Sequence, residues 1–315
     1  MRDFDVYSPE DIIAKNLAEC EQRKSLVQEQ ELAHLYELAA EIAQTRELSE
    51  LLTSLPDHRP SLLPSEHRAI KVPDLLHSSQ SRQQTHTKAM LCLALHHTLS
   101  QERAIPVGAY FSDAEEPTPT AYQRIVYQRS GYTDAAYLQL SALLSEPRAA
   151  YSHSFLSACE EVYNGHCEYC ILPLENSTEG QLGSFSRLIE RYDLKIAATC
   201  DIVGNDTGRV TRFALLHKHI LPLFHLGGTE AFFECSLPLG NNPDVTDVLY
   251  AAQLCGMRLY RIDSQPRQGG DTQFSVHLSF RIANADLQAF LLYLAMEVPH
   301  YTPIGLYPHL QTKGK

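Results

Sequence analysis

The sequence predicts a multi-domain chain that is all-helical first and α/β afterwards. Three observations carry this. Apolar residues fall at helical spacing, with no strand-like alternation, from the N-terminus to about residue 106. Short apolar strands then alternate with helices from 124 to 220. Finally, residues 228–310 read strand, helix, strand, strand, helix, strand, a ferredoxin-like βαββαβ order.

In the first hundred residues Leu26, Leu32, Leu35, Leu38, Ile42, Leu48 and Leu52 mark one helical stretch. A proline-rich break from Pro56 to Pro64 follows. A second helical stretch, from about Pro73 to Glu102, carries LCLALHHTL. Residues 1–106 are thus expected to form a helical unit. The acidic, proline-containing stretch 107–123 is expected to be an exposed linker.

Beyond it, Arg124–Gln128 reads as a strand and Thr133–Leu144 as a helix. A short strand is expected at Tyr151–Ser154, then a helix ending at Gly165. Cys167–Glu175 is an apolar strand, Gly183–Tyr192 a helix, and Leu194–Val203 and Arg209–Lys218 two further strands. Buried strands interleaved with helices predict a mainly parallel sheet. In the last module Gly269-Gly270 is expected to close a hairpin between strands 258–267 and 272–282.

Composition narrows the function classes. There are 26 Lys plus Arg against 38 Asp plus Glu, a formal charge of −12. An acidic chain is poorly suited to nucleic acid or anionic membrane, which require a basic surface. No apolar run is long enough to span a membrane, and the N-terminus lacks a signal-peptide core. The 8 cysteines are expected to be reduced thiols, and the chain cytoplasmic. His166-Cys167-Glu168-Tyr169-Cys170 contains a CxxC without a second pair at zinc spacing, so no metal is expected. There is no P-loop and no GxGxxG, and no cofactor is implied.

Two polar segments interrupt the apolar strands. Glu175-Asn176-Ser177-Thr178-Glu179-Gly180 follows a buried strand and precedes a helix. Asn, Ser and Thr there can cap the helix, or its free amides can receive a carboxylate or phosphate. Thr211-Arg212-Phe213 opens another strand, placing a proton-bearing hydroxyl beside a bidentate cation. An exposed edge-strand Arg212 beside a half-buried Thr211 is the plainer alternative.

ILPLENSTEG, a helix, a strand and then TRF, in this order, resemble the catalytic domain of prephenate dehydratase. RIVYQ with GYTDAA resembles that family's first strand and turn. The last module resembles the ACT domain that follows it, with DSQP (263–266) and GLYP (305–308) at the family's ESRP-like and GSYP-like positions. The resemblance covers about Arg124 to Leu310. It implies one lobe of a periplasmic-binding-protein-like α/β domain at 124–220 and an ACT domain at 228–310. It also implies conversion of prephenate to phenylpyruvate, carbon dioxide and water. Thr211 would then be the proton donor. Asn176, Ser177, Thr178, Gly180 and Thr133 would contact substrate, Arg212 would balance charge and Phe213 would support it. Prephenate, or an aromatic amino acid as effector, is the implied small-molecule partner. A homodimer or homotetramer is the implied assembly.

The chain departs from the family in three places. Only residues 204–208 stand where the family inserts a second lobe, and the first turn (Gln128 to Gly131) is tighter and more basic. In the ACT module the effector positions carry Asp247, Val248 and Leu249, then Asp263, Ser264, Gln265 and Pro266, with Gln265 in place of an arginine. The helical unit stands where bifunctional relatives carry a chorismate mutase. The alternatives to a dehydratase are therefore a non-catalytic binding or regulatory relative, and mutase activity in the N-terminal helices. In an active dehydratase the absent wall would be replaced by the N-terminal helices, the one piece of the chain of adequate size, or by another subunit.

Overall fold

The computed structural model describes residues 9–45, 74–102, 104–111, 123–204, 208–221, 230–238, 245–266, 274–282, 285–298 and 300–310. The proline-rich break and Gly269-Gly270 lie outside these residues. Two long helices, α1 (Pro9–Thr45) and α2 (Asp74–Glu102), come first. A 3-10 turn at Val107–Tyr110 follows, within the stretch read as a linker. Tyr110 and Phe111 there are buried, so its start is anchored in the core.

The next elements are β1 (Gln123–Gln128), α3 (Gly131–Leu140), β2 (Pro147–Ser152), α4 (Phe155–Tyr163), β3 (Tyr169–Asn176) and the two-residue β4 (Gly180–Gln181). Then come α5 (Gly183–Arg191), β5 (Lys195–Val203) and β6 (Val210–His217). The last part is β7 (Glu230–Pro238), α6 (Val245–Leu254), β8 (Arg258–Pro266), β9 (Phe274–Arg281), α7 (Leu287–Glu297) and β10 (Thr302–Leu310).

These strands form one 10-stranded sheet in the order β2-β1-β3-β6-β5-β10-β7-β9-β8, with β4 beside β3. The sheet is mixed, which corrects the expected mainly parallel one. β1 is parallel to β2 and β3, and β5 to β10. The β5–β6 pair is antiparallel because its connection is closed within a few residues by Gly204 N–H to the Arg209 carbonyl. Gly208, at φ +63°, supplies the left-handed conformation this turn needs.

The β5–β10 pairing joins the two halves. Gly305 makes it possible, since a Cβ there would stand 2.8 Å from both the Ile196 Cβ and carbonyl oxygen. The backbones approach more closely than any side chain allows.

Side-chain alternation divides the sheet between two faces. One face of β1, β3, β5 and β6 (Ile125, Ile171, Cys200, Phe213) packs beneath α3. The other (Val126, Leu172, Ile196, Ala214) packs beneath α4 and α5 and continues into Phe232 and Tyr307. In the C-terminal half Phe233, Leu278 and Phe280 pack on α6 and α7, and these share their core with Leu35 and Ala39 of α1 and Leu91 and Leu95 of α2. Helix α7 is apolar nearly all round because it lies between the sheet and α2. The N-terminal helices therefore cover α6 and α7.

Candidate functional site

The two polar segments singled out in the sequence meet on the interior strands β3 and β6 but divide between the faces of the sheet. Asn176 and Thr211 are register partners on β3 and β6, as are Glu175 and Arg212. Thr211 shares its side of β6 with Phe213, under α3, whereas Arg212 shares the opposite side with Ala214 and Leu216. Neighbours in sequence thus point away from each other.

Arg212 is held on its face by two carboxylates. Its Nε and Nη2 donate to Asp201 at 2.8 and 3.2 Å, and Nη1 lies 2.8 Å from Glu175. The Tyr260 hydroxyl accepts a further bond at 3.3 Å. Burial works against the Arg212 charge, but the bonds to Asp201 and Tyr260 and the Glu175 charge outweigh it and keep the guanidinium above its ordinary pKa. Burial also opposes the Asp201 charge. His309 and Arg212 overcome it and hold that carboxyl well below the usual range. His309 in turn bonds Thr199, at 3.0 Å.

The Asn176–Gly180 segment is occupied by its own turn. Asn176 Oδ1 accepts from the amides of Thr178 (2.9 Å) and Glu179 (2.7 Å). Ser177 Oγ accepts from Val210 N–H, and Thr178 Oγ1 from Arg209 Nε. Gly180 takes φ +71° and leads into β4. This corrects the helix-cap reading. Helix α5 begins only at Gly183, after Leu182, with no side-chain cap, because the polar residues form an Asx turn against the start of β6.

Thr133 is buried and serves a capping box. Its Oγ1 accepts from Ser130 N–H (2.8 Å) and lies 2.7 Å from the Gln128 carbonyl, to which it donates, while Ser130 Oγ accepts from Thr133 N–H. Phe213 is a buried core residue. Val248 and Leu249 pack into the core that α2 covers, and Thr85 of α2 donates to Asp247 at 2.9 Å. Ser264, Gln265 and Pro266 pair with Val276, Ser275 and Phe274 along β8 and β9.

Asp263 leads to the feature that sequence reasoning missed. The face of β7, β8 and β9 away from α6 and α7 curls back over β3 and α5. Arg261 Nη1 reaches Glu175 at 2.6 Å, its Nε Asp263 at 2.9 Å, and its Nη2 Glu234 at 3.5 Å. Beside this cluster is a cavity of about 170 Å³ between α5 and the C-terminal strands. Leu174, Ile189 and Ile304 supply apolar wall, and Glu234, Asp263 and Ser279 supply polar wall. The alternation of polar residues on β7 and β9 (Glu234 and Ser236; Ser275, His277 and Ser279) was the available signal. Strand alternation alone would read as a solvent face. Among the described residues no group of three or more His, Cys, Asp or Glu is arranged to hold a metal ion. Among the described residues no helix is long and apolar enough to cross a membrane.

No family model matches the sequence, and no curated protein matches it. Solved structures similar to the chain include prephenate dehydratase from Streptococcus mutans, at 19% identity and a TM-score of 0.48, covering 59% of this chain and 98% of that one. Another is GqqA, described as a novel type of quorum quenching acylase, at 16% identity and 0.44, covering 59% and 94%. A third is prephenate dehydratase from Arthrobacter aurescens in complex with L-Phe, at 15% identity and 0.44, covering 58% and 89%. None of them assigns an activity to this chain.

Proposed function

We propose that this chain is a non-catalytic, ligand-binding relative of prephenate dehydratase, with an ACT-like C-terminal module and a cytoplasmic, regulatory role in aromatic amino acid metabolism. The supporting observation is the division of the TRF motif. Arg212 is claimed by Asp201 and Glu175 on one face, while Thr211 leaves the strand on the other. With its guanidinium on the opposite face and paired with two carboxylates, Arg212 is not placed beside the Thr211 hydroxyl to balance charge there. The remaining motif hydroxyls and amides already have partners, so a dianionic substrate would have to displace them.

A second reading, the dehydratase itself, is favoured by the register pairing of Asn176 with Thr211 on β3 and β6. Prephenate incubated with the purified chain separates the two. The binding reading expects no phenylpyruvate above the uncatalysed rate, and Thr211→Ala indistinguishable from the parent. Turnover that Thr211→Ala abolishes would overturn it. Mutase activity in the N-terminal helices is the weaker proposal, because Lys88 is paired with Glu297 at 2.6 Å and α2 is occupied with α6 and α7. Assembly as a homodimer or homotetramer belongs to the same proposal, with sedimentation as its test.

A further inference from the structure

The cavity between α5 and the C-terminal strands has a charge pattern that selects its occupant. Four carboxylates border it, Glu190, Asp193, Glu234 and Asp263, against two cations, Lys195 and Arg261. Both cations are engaged. Lys195 is nearly buried, with its ammonium 2.7 Å from Asp193. Arg261 is shared among Glu234, Asp263 and Glu175, and Glu175 is shared in turn with Arg212. The Glu234 and Asp263 side chains are only 12% and 32% exposed, so water screens this negative excess incompletely.

A second observation is independent of charge. Ser279, which lines the same cavity, is 3% exposed and its Oγ has no hydrogen-bond partner. A buried hydroxyl without a partner is costly and marks a position where a polar ligand atom completes the set. Leu174, Ile189 and Ile304 offer the apolar contact that a small hydrocarbon body needs.

We propose that this cavity is a binding site for a small organic cation, a primary ammonium group carried on a compact apolar body. The ammonium lies against Glu234 and Asp263, with Ser279 Oγ as a further acceptor. The body rests on Leu174, Ile189 and Ile304. A dicarboxylate is disfavoured here, because it would add negative charge to a wall whose four carboxylates already outnumber its two cations. The inference deepens the binding reading by naming a ligand class and a place. It is separable from the loss of catalysis, since turnover of prephenate would refute that loss and leave this site untouched.

The test is calorimetric titration of the full chain near neutral pH with 2-phenylethylamine, 3-phenylpropionate and L-phenylalanine. The amine is expected to bind saturably and the acid not, with the amino acid weaker than the amine because it brings a carboxylate. Asp263→Asn is expected to weaken the amine about tenfold, as for loss of one charged hydrogen-bond partner. Thr302→Trp, at an exposed position on the cavity wall, blocks the space without altering the carboxylates and is expected to abolish binding. If Asp263→Asn fails to fold, Thr302→Trp decides alone. Acid binding as tight as amine, no saturable amine binding, or amine binding unchanged by Thr302→Trp would each overturn the proposal.

Discussion

Arg261 Nη1 lies 2.6 Å from Glu175 Oε2, although β8 and β3 stand six positions apart in the sheet. At about 4.8 Å per strand a flat sheet would separate them by roughly 29 Å. Twist and coil therefore bring the C-terminal strands over the first half of the sheet. This corrects one of the two expectations for the family's second lobe, that the N-terminal helices replace it. They lie on α6 and α7, and the polar face of β7–β9 stands opposite β3 instead.

Removing Arg261 therefore leaves three carboxylates facing one another without their shared cation. With 28% of its side chain exposed, Arg261→Met is expected to lower stability by about 2–3 kcal/mol. Arg261→Lys should recover only part of this, since an ammonium cannot fork to three partners. Urea midpoints at constant m-value provide the measurement. Equal midpoints for parent and Arg261→Met would show that the contact does not hold the halves together.

Gly305 is the matching point in the backbone. An added Cβ meets Ile196 at 2.8 Å, and the nearby backbone oxygen cannot rotate away. Gly305→Ala is expected to destabilise by about 2 kcal/mol, within the range for overpacking. Hydrogen exchange should quicken along the β5–β10 seam and not in β1–β2. Uniform quickening would place the strain elsewhere.

Much of this was legible in the sequence and some was not, for physical reasons. Local signals worked where the decision is local. The helix read from Thr133 forms, with Ser130 capping it two residues earlier at Gly131, and the tight connection read at 204–208 joins β5 to β6, though as an antiparallel pair and not in the expected parallel sheet. Motif order brought Asn176 and Thr211 together. Chain pattern could not show that two expected modules share one sheet, because β5–β10 pairing depends on residues over a hundred positions apart. Nor could it show that Arg212 is already neutralised, since Asp201 sits in a strand that reads as apolar.

Thr133 separates a structural role from substrate contact. Its hydroxyl joins Ser130 N–H and the Gln128 carbonyl, so Thr133→Ala is expected to cost about 1–2 kcal/mol of stability. Thr133→Ser should restore most of it by keeping the hydroxyl. Thermal melts of the two variants test this. Full stability in Thr133→Ala would free the residue for a role in binding.

Acid stability follows from Asp201. His309 and Arg212 outweigh the burial of this carboxyl and depress its folded-state pKa. A depressed carboxyl contributes stability above its unfolded pKa of about 3.9 and loses it as pH falls through the lower, folded value. His96 acts in a higher window. Burial lowers its pKa against the attraction of Asp286, and His97 lowers it further. The folded chain therefore resists protonating His96, and the stability present above about pH 6.5 declines as pH falls below it. The loss should act on the seat of α2 against α7, where His96 also meets Tyr110 at 2.8 Å. Urea denaturation across pH is expected to fall in two stages. His96→Gln should flatten the upper stage alone, and Asp201→Asn the lower stage alone. A single stage that neither substitution alters would remove both groups from the acid response.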